Sequence, residues 1–279
     1  MALLPSPLRR RVRAAVIRFD NRAEERALAR EIAAKEAGSA PHRGLPVPPP
    51  LLRVRVSGWR AEREGWLESG ETDARLIRDR LSGNGYELER MGSLLDFGCG
   101  CGRVARCWND LAGPEIHGSD VSREAIRWCR RNLPFMAAVR NDPQPPLRYP
   151  DDRFDLVYAL SVITHVPEMT GRAWLEELVR ILRPGGLLLF TVHGERFARV
   201  LGEADRRRFN AGEIVITESH ALAGTNRYGA FHPAESVIND LLPALPVDLL
   251  DTVYEDPTGG GGVSPMPIQD NYLVRKRKS

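Results

Sequence analysis

The stretch that most constrains this chain is Leu94-Leu95-Asp96-Phe97-Gly98-Cys99-Gly100-Cys101-Gly102-Arg103, a short apolar run that ends in an acid and breaks into glycines at alternate positions. Leu94, Leu95 and Phe97 suit a buried strand, while Gly98, Gly100 and Gly102 supply backbone conformations or close approaches that side chains forbid. A helix is expected to resume over residues 104–111. A parallel strand that stops at an acid and a glycine turn is where open α/β sheets bind nucleotide-sized ligands. The spacing departs from the dinucleotide fingerprint G-x-G-x-x-G/A, because Arg103 stands where the third small residue belongs. A ligand without a pyrophosphate therefore fits better than NAD or FAD.

Residues 115–120 read as a second strand ending in Asp120, 22 residues beyond Gly98, where a carboxylate can accept both hydroxyls of a ribose. Ser122 is expected to cap the next helix, with Glu124 in its first turn. A third strand over 136–140 would leave Asn141 and Asp142 at its carboxyl end, although Asn-Asp-Pro also reads as a plain turn. Residues 154–160 are almost wholly apolar, as a central strand covered on both faces requires. After Leu160-Ser161-Val162 comes a helix carrying Trp174, Leu175, Leu178, Val179 and Leu182. Arg183-Pro184-Gly185-Gly186 then turns the chain into a fifth strand over 187–192.

Residues 94–103, Asp120, residues 151–166, and residues 180–186 with the strand after them together resemble the class I S-adenosylmethionine-dependent methyltransferases. The resemblance is close over residues 70–200 and loose from there to 279. It implies an α/β fold, a Rossmann-like seven-stranded mostly parallel sheet with helices on both faces and an antiparallel last strand, and S-adenosylmethionine as cofactor. By that resemblance Asp96 helps hold the amino acid part of the cofactor, and the loop of Gly98, Cys99, Gly100 and Gly102 packs against it. Asp120 would hold the ribose, Val121 would flank the adenine, Asn141 or Asp142 would read its amine, and Leu160 and Ser161 would stand near the methyl. His165, a few positions past the fourth strand, is the candidate proton acceptor, since an imidazole titrates near pH ~6.5. Its competing role is a backbone hydrogen bond that fixes the entry to the next helix.

Leu160-Ser161-Val162 stands in place of the Asn/Asp-Pro-Pro-Tyr/Phe signature with which many related enzymes hold a planar amino group. Exocyclic amine methylation of nucleic acid is therefore disfavoured, and the expected acceptor is an oxygen, nitrogen or carbon nucleophile of a small molecule. An RNA or protein methyltransferase and a catalytically silent cofactor-binding structural protein are the alternatives.

Charge supports that ordering. Residues 1–55 carry 12 Lys/Arg against 5 Asp/Glu, and the remainder 28 against 32, so the body is mildly acidic and offers no broad phosphate-binding surface. Cys99, Cys101, Cys107 and Cys129 lack the pairing and histidines of a zinc site and read as reduced thiols, with no metal expected. No signal peptide or membrane span is recognisable, so a cytoplasmic location is expected.

Residues 12–37 have helical periodicity, with an apolar stripe of Val12, Val16, Phe19, Ala23, Ala27, Leu28 and Ile32. Pro46, Pro48, Pro49 and Pro50 predict an extended connector leading into residues 51–57. Residues 1–57 thus form an extension that docks on its own body, covers the pocket or pairs two copies into a homodimer, ahead of a methyltransferase domain over 58–279. A helix is expected over 72–81, and Trp59, Trp66 and Tyr86 are core or pocket residues. An insertion near 196–233 brings Tyr228, Phe231 and His232 as candidates to wall the pocket. A helix over 234–242 and two closing antiparallel strands, over 245–254 and 271–276 and joined through residues 259–262, complete the expected fold.

Overall fold

The apolar runs become adjacent strands of one sheet. The structure is a computed structural model, and it describes residues 22–36, 40–57, 61–217, 228–253 and 269–278. Its strands are β1 (Ser93–Phe97), β2 (Glu115–Asp120), β3 (Met136–Arg140), β4 (Phe154–Ala159), β5 (Leu182–Val192), β6 (Val215–Thr217), β7 (Gly229–Phe231), β8 (Val247–Val253) and β9 (Asp270–Lys276). Seven of them form a sheet in the order β3-β2-β1-β4-β5-β9-β8. The pairs from β3 to β5 are parallel, and β9 runs antiparallel to both β5 and β8. This is the Rossmann-like arrangement expected. Because β9 alone is reversed, its first residues lie at the edge where β1, β4 and β5 end.

Every residue of β1 is buried, and all but Asp155 of β4, as befits strands covered on both sides. Phe97, Phe154, Trp174, Leu178, Phe190 and Tyr272 pack one face of the sheet. Ile77, Leu81, Leu94, Trp108, Tyr158 and Leu189 pack the other. The helices are α1 (residues 22–35), α2 (Pro50–Ser57), α3 (Arg63–Gly83), α4 (Arg123–Asn132), α5 (Glu168–Ile181), α6 (Glu203–Asn210) and the single turn α7 (Ala234–Ser236), of which α3 and α4 pack on one face of the sheet and α5 on the other. A wider turn over Val237–Leu241 continues α7, and β6 and β7 form a separate two-stranded sheet within the insertion.

Several expectations are corrected. Pro50 opens helix α2, because proline at a first helical position forfeits only an amide that has no intrahelical partner. The proline connector therefore ends one residue earlier than expected and leads into a helix. Helix α3 spans 21 residues where 72–81 was expected, since Gly65 and Gly70 are carried inside it. Gly70 is required there: a Cβ would lie 2.3 Å from the Arg103 carbonyl oxygen, so the glycine lets α3 approach the loop after β1. The helix expected over 104–111 shrinks to a tight turn at Ala105–Trp108, whose amides reach back three residues, as from Cys107 N to Val104 O at 2.9 Å. Arg106 and Trp108 are both buried there, each with its own partners: Arg106 reaches the Leu45 carbonyl at 3.3 Å and Trp108 the Tyr158 hydroxyl at 2.9 Å.

The fifth strand begins at Leu182 and absorbs the turn at 183–186 as an irregularity against β4, with Gly185 at φ +81°. On α1, Leu28, Ala29 and Ile32 pack against Leu51, Val54 and Ala61, while Ala23 and Ala27 are exposed. The expected stripe was too wide because α1 touches its neighbour along one side only. Buried Arg53 joins the two helices, donating from Nε to the Ala61 carbonyl at 2.8 Å and from Nη1 to the Pro48 carbonyl at 3.1 Å, with Glu36 as its ion-pair partner. Trp66 is core beside Leu67 and Cys101, and Tyr86 is half-buried against the cluster of Ile77, Leu81 and Trp108. Trp59, residues 1–21 and residues 259–262 lie outside the described residues.

Candidate active site

The glycine loop needs each of its glycines. Gly98, Gly100 and Gly102 have φ of +79°, +53° and +78°, a region L side chains rarely adopt. Added Cβ atoms would lie 2.3 Å from Val162 Cγ2, 2.6 Å from Val56 Cγ1 and 2.2 Å from Leu133 Cδ1 respectively. The loop is thus held between the turn after β4, helix α2 and the end of α4. Arg103, the residue that breaks the dinucleotide pattern, fastens the loop to α3 through Asp73 at 2.6 Å and the Ser69 hydroxyl at 3.3 Å. Cys99 and Cys101 are buried in the loop, and burial raises both thiols well above their ordinary range; for Cys99 a hydrogen bond with Cys129 adds most to the rise.

Asp96 pairs with Gly118 of β2 and Tyr158 of β4. It is 4% exposed, and burial pushes its carboxyl up to about 7, against the opposing pull of the Tyr158 hydroxyl and Arg103. The Trp108 indole donates to Tyr158, and Tyr158 is hydrogen-bonded to Asp96, so the acid ends a relay fixed in the core. Asp120, the last residue of β2, accepts from Gly100 N at 2.8 Å and from Ser122 N at 2.7 Å. Burial raises it, and those two amides restrain the rise. Ser122 caps α4 as expected, accepting from Ala125 N at 3.2 Å.

Asn141 is buried with both ends of its side chain occupied. Its Oδ1 accepts from the Ser119 hydroxyl at 2.8 Å, and its Nδ2 donates to the Asp142 carbonyl at 2.8 Å. The turn role of this sequence is therefore present, while the Asp142 side chain is exposed. Val121 is 42% exposed beside Asp120. The structure thus gathers Asp96, the glycine loop, Asp120, Val121 and Asn141 along the carboxyl ends of β1, β2 and β3.

The ends of β4 and β5 carry a second group. Leu160 is half-buried, and Ser161 adopts the left-handed conformation at φ +57°. That conformation directs Ser161 N to the Thr191 hydroxyl at 2.8 Å. The Ser161 hydroxyl accepts from Gln269 Nε2 at 2.8 Å and lies 3.3 Å from His165 Nε2. His165 Nδ1 is 2.7 Å from the Tyr228 carbonyl, an acceptor, so Nδ1 carries the proton and Nε2 the lone pair. Burial lowers the pKa of His165 from its ordinary value and so favours the neutral ring, and that carbonyl partly offsets the lowering. The backbone role considered for His165 is present at one nitrogen and leaves the other available.

Next to it, His193 stacks on Phe197 with ring centres 4.0 Å apart and meets His165 edge-on at 5.8 Å. Burial pushes His193 down to about 3 and His232 to about 4, so both are neutral at pH 7. Among the described residues no cluster of histidine, cysteine or carboxylate side chains could hold a metal ion. Thr191, His193 and Gln269 carried no signal in the sequence. Gln269 is 108 residues from Ser161, and only the reversed direction of β9 brings them together.

A methyltransferase-domain family model matches residues 67–234. The chain belongs to the class I S-adenosylmethionine-dependent methyltransferases. Phthiotriol/phenolphthiotriol dimycocerosates methyltransferase 1 of Mycobacterium ulcerans is 36% identical over 101 residues, 35% of this chain and 36% of that protein. Fatty-acid O-methyltransferase of Mycolicibacterium smegmatis is 34% identical over 160 residues, 54% of this chain and 56% of that one. Among the first curated relatives the match spans only 36% to 43% of their length. The 1,6-didemethyltoxoflavin-N1-methyltransferase of Burkholderia thailandensis, solved with its acceptor and S-adenosylhomocysteine, shares the fold. Its TM-score is 0.54 at 18% identity over 86% of this chain and 95% of that one.

The cofactor of a class I methyltransferase is S-adenosylmethionine, and the residues present fit it. Asp96 is an acid that burial lifts to about 7, which suits a ligand bearing an ammonium group. Asp120 has further lone pairs beyond the two amides it accepts. Among the described residues no helix is long and apolar enough to cross a membrane.

Proposed function

We propose that this methyltransferase acts on a hydroxyl oxygen of a small molecule, with His165 Nε2 as the base. The observation that carries the reading is the fixed neutral tautomer of His165, whose lone pair faces the Ser161 hydroxyl beyond β4. An alcohol or phenol must lose a proton as it attacks, and a neutral imidazole within about 2.6–3.2 Å, directly or through one bridging group, can take it. An amine presented neutral would need only orientation, so a tuned base argues for oxygen. The names of the relatives described above point the same way, towards lipid-like small molecules for two of them and O-methylation for one.

In this reading Asp96 holds the cofactor's ammonium, the loop of Gly98, Cys99, Gly100 and Gly102 lies against its amino acid part, and Asp120 accepts from the ribose. Val121 flanks the adenine, Asn141 or Asp142 borders its amine, and Leu160 and Ser161 face the methyl. S-adenosylmethionine supplies an electrophilic methyl, whose bond to sulfur breaks as the bond to oxygen forms, leaving S-adenosylhomocysteine. The neutral histidines and Phe197 and Phe231 give the acceptor a low-charge wall. Residues 1–57 are an extension whose helix α2 meets the loop through Val56, and residues 58–279 the methyltransferase domain.

The test is a panel of acceptors, comprising a long-chain fatty acid, a hydroxylated lipid, a phenol, a sugar and the corresponding amines. S-adenosylhomocysteine and methylated product are measured by mass spectrometry. Transfer to a hydroxyl is expected, and His165→Gln should lower kcat about a hundredfold with cofactor affinity unchanged. Transfer to amines alone, or wild-type turnover by H165Q across pH 6 to 9, would overturn the reading.

A further inference from the structure

Ser161, Thr191 and Gln269 come from the turn after β4, from β5 and from the entry to β9, and they close a directed ring of hydrogen bonds. Ser161 N can only donate, and it donates to Thr191 Oγ1 at 2.8 Å. Thr191 Oγ1 passes its own proton to Gln269 Oε1 at 2.5 Å. With its oxygen held there, the Gln269 amide must present Nε2 to Ser161, donating to Oγ at 2.8 Å. The Ser161 hydroxyl is thereby made an acceptor towards Gln269, and its single proton is left for His165 Nε2 at 3.3 Å or the Thr164 hydroxyl at 3.4 Å. The His165 nitrogen is the stronger acceptor of the two. At its other nitrogen the Tyr228 carbonyl at 2.7 Å completes the direction.

We propose that Gln269 and Thr191 are positioning residues that aim the Ser161 hydroxyl at His165 Nε2, making Ser161 the carrier of the acceptor's proton. This rests on the proposed function, since it assumes an oxygen acceptor and His165 as base. The acceptor O–H gives its proton to Ser161 Oγ as oxygen bonds to the methyl carbon. Ser161 passes its original proton to His165 Nε2, so the serine is unchanged and the histidine ends as imidazolium. No further reactant is needed. The left-handed backbone of Ser161 belongs to the same device, because it turns the amide towards Thr191 while the hydroxyl reaches Gln269 and His165. The groups facing His165 are Ser161 and Thr164 on its own turn, His193 past β5 and the Tyr228 carbonyl before β7, and none of them is charged at pH 7.

The experiment uses Q269E, T191V, T191S and H165Q in the full chain. Glutamate keeps the shape of glutamine but cannot donate, so the Ser161 proton would swing to residue 269 and away from His165. Long-range 15N NMR of the protein saturated with S-adenosylhomocysteine reads this without an acceptor. Wild type should show His165 protonated at Nδ1 and hydrogen-bonded at Nε2, and Q269E and T191V should move the Nε2 resonance to that of a free lone pair. With the best acceptor from the panel above, the same two variants should lose about tenfold or more in kcat with KM unchanged, and the acid limb of the pH profile should shift. T191S keeps the hydroxyl and should restore both readouts. If H165Q is impaired while Q269E and T191V leave the nitrogen signal and the pH profile at wild-type values, the relay is wrong and the base stands. If H165Q turns over normally the base is wrong, and the nitrogen signal alone decides the hydrogen-bond direction. Should Q269E fail to fold, T191V against T191S gives the same answer.

Discussion

Val56 lies over Gly100 so closely that a single methyl at residue 100 would come within 2.6 Å of its Cγ1. Helix α2 therefore packs on the glycine loop at Gly100, and the loop's left-handed backbone has no room for a side chain on that side. Gly100→Ala should cost about 1–3 kcal/mol from backbone strain alone. Pairing it with Val56→Ala should recover only the part due to the clash. Urea unfolding of the two variants separates the terms; full recovery in the double variant would mean that the φ of +53° is not strained.

The cofactor role proposed for Asp96 makes binding depend on pH. Its carboxyl is raised to about 7 in the free protein, and an ammonium ligand favours the ionised form. Affinity should therefore be full above pH 7 and fall as pH drops below it, approaching tenfold per unit. Calorimetry with S-adenosylhomocysteine between pH 5.5 and 8.5 measures this. D96N should bind weakly and without that slope.

Replacing Asp120 acts twice. It accepts the amides of Gly100 and Ser122 and is also the expected ribose partner. D120A should lose roughly 1.5–3 kcal/mol per charge-assisted bond removed. The variant should unfold at lower denaturant and bind cofactor at least tenfold more weakly. Equal cofactor affinity in a folded D120A protein would remove the ribose role and leave only the loop-fastening one.

Arg53 is the pin of the extension. Only 2% exposed, it bonds the Ala61 and Pro48 carbonyls and pairs with Glu36. Removing one member of such a buried pair costs about 3–5 kcal/mol. Arg53→Ala should therefore loosen α1 and α2, read as faster proteolysis before residue 61 and lower stability. Deleting residues 1–40 strips Glu36 from the pair and should destabilise the remainder in the same direction.

What could be read in the sequence is what is local. Asp96, the three glycines and Asp120 stand at strand ends, and a strand end is written in a few consecutive residues. The apolar run of β4 announced its central place because a strand covered on both faces cannot alternate. The length of α3 was hidden by Gly65 and Gly70, which read as breakers until the Arg103 carbonyl is seen against Gly70. Pro50 misled for the opposite reason, since proline both ends extended segments and begins helices. The partners of Ser161 were beyond reach: Thr191 is 30 residues away and Gln269 108, and neither spacing carries a periodic signal.

The reversal of β9 also sets a timetable. All five parallel strands from β1 to β5 precede Gln269 in the chain, so a nascent polypeptide owns the whole glycine loop long before it owns the residue that orients Ser161. Domains fold as units, so the ring through Gln269 closes with the pairing of β9 between β5 and β8, and a chain stopped before residue 269 carries the glycine loop without the residue that orients Ser161.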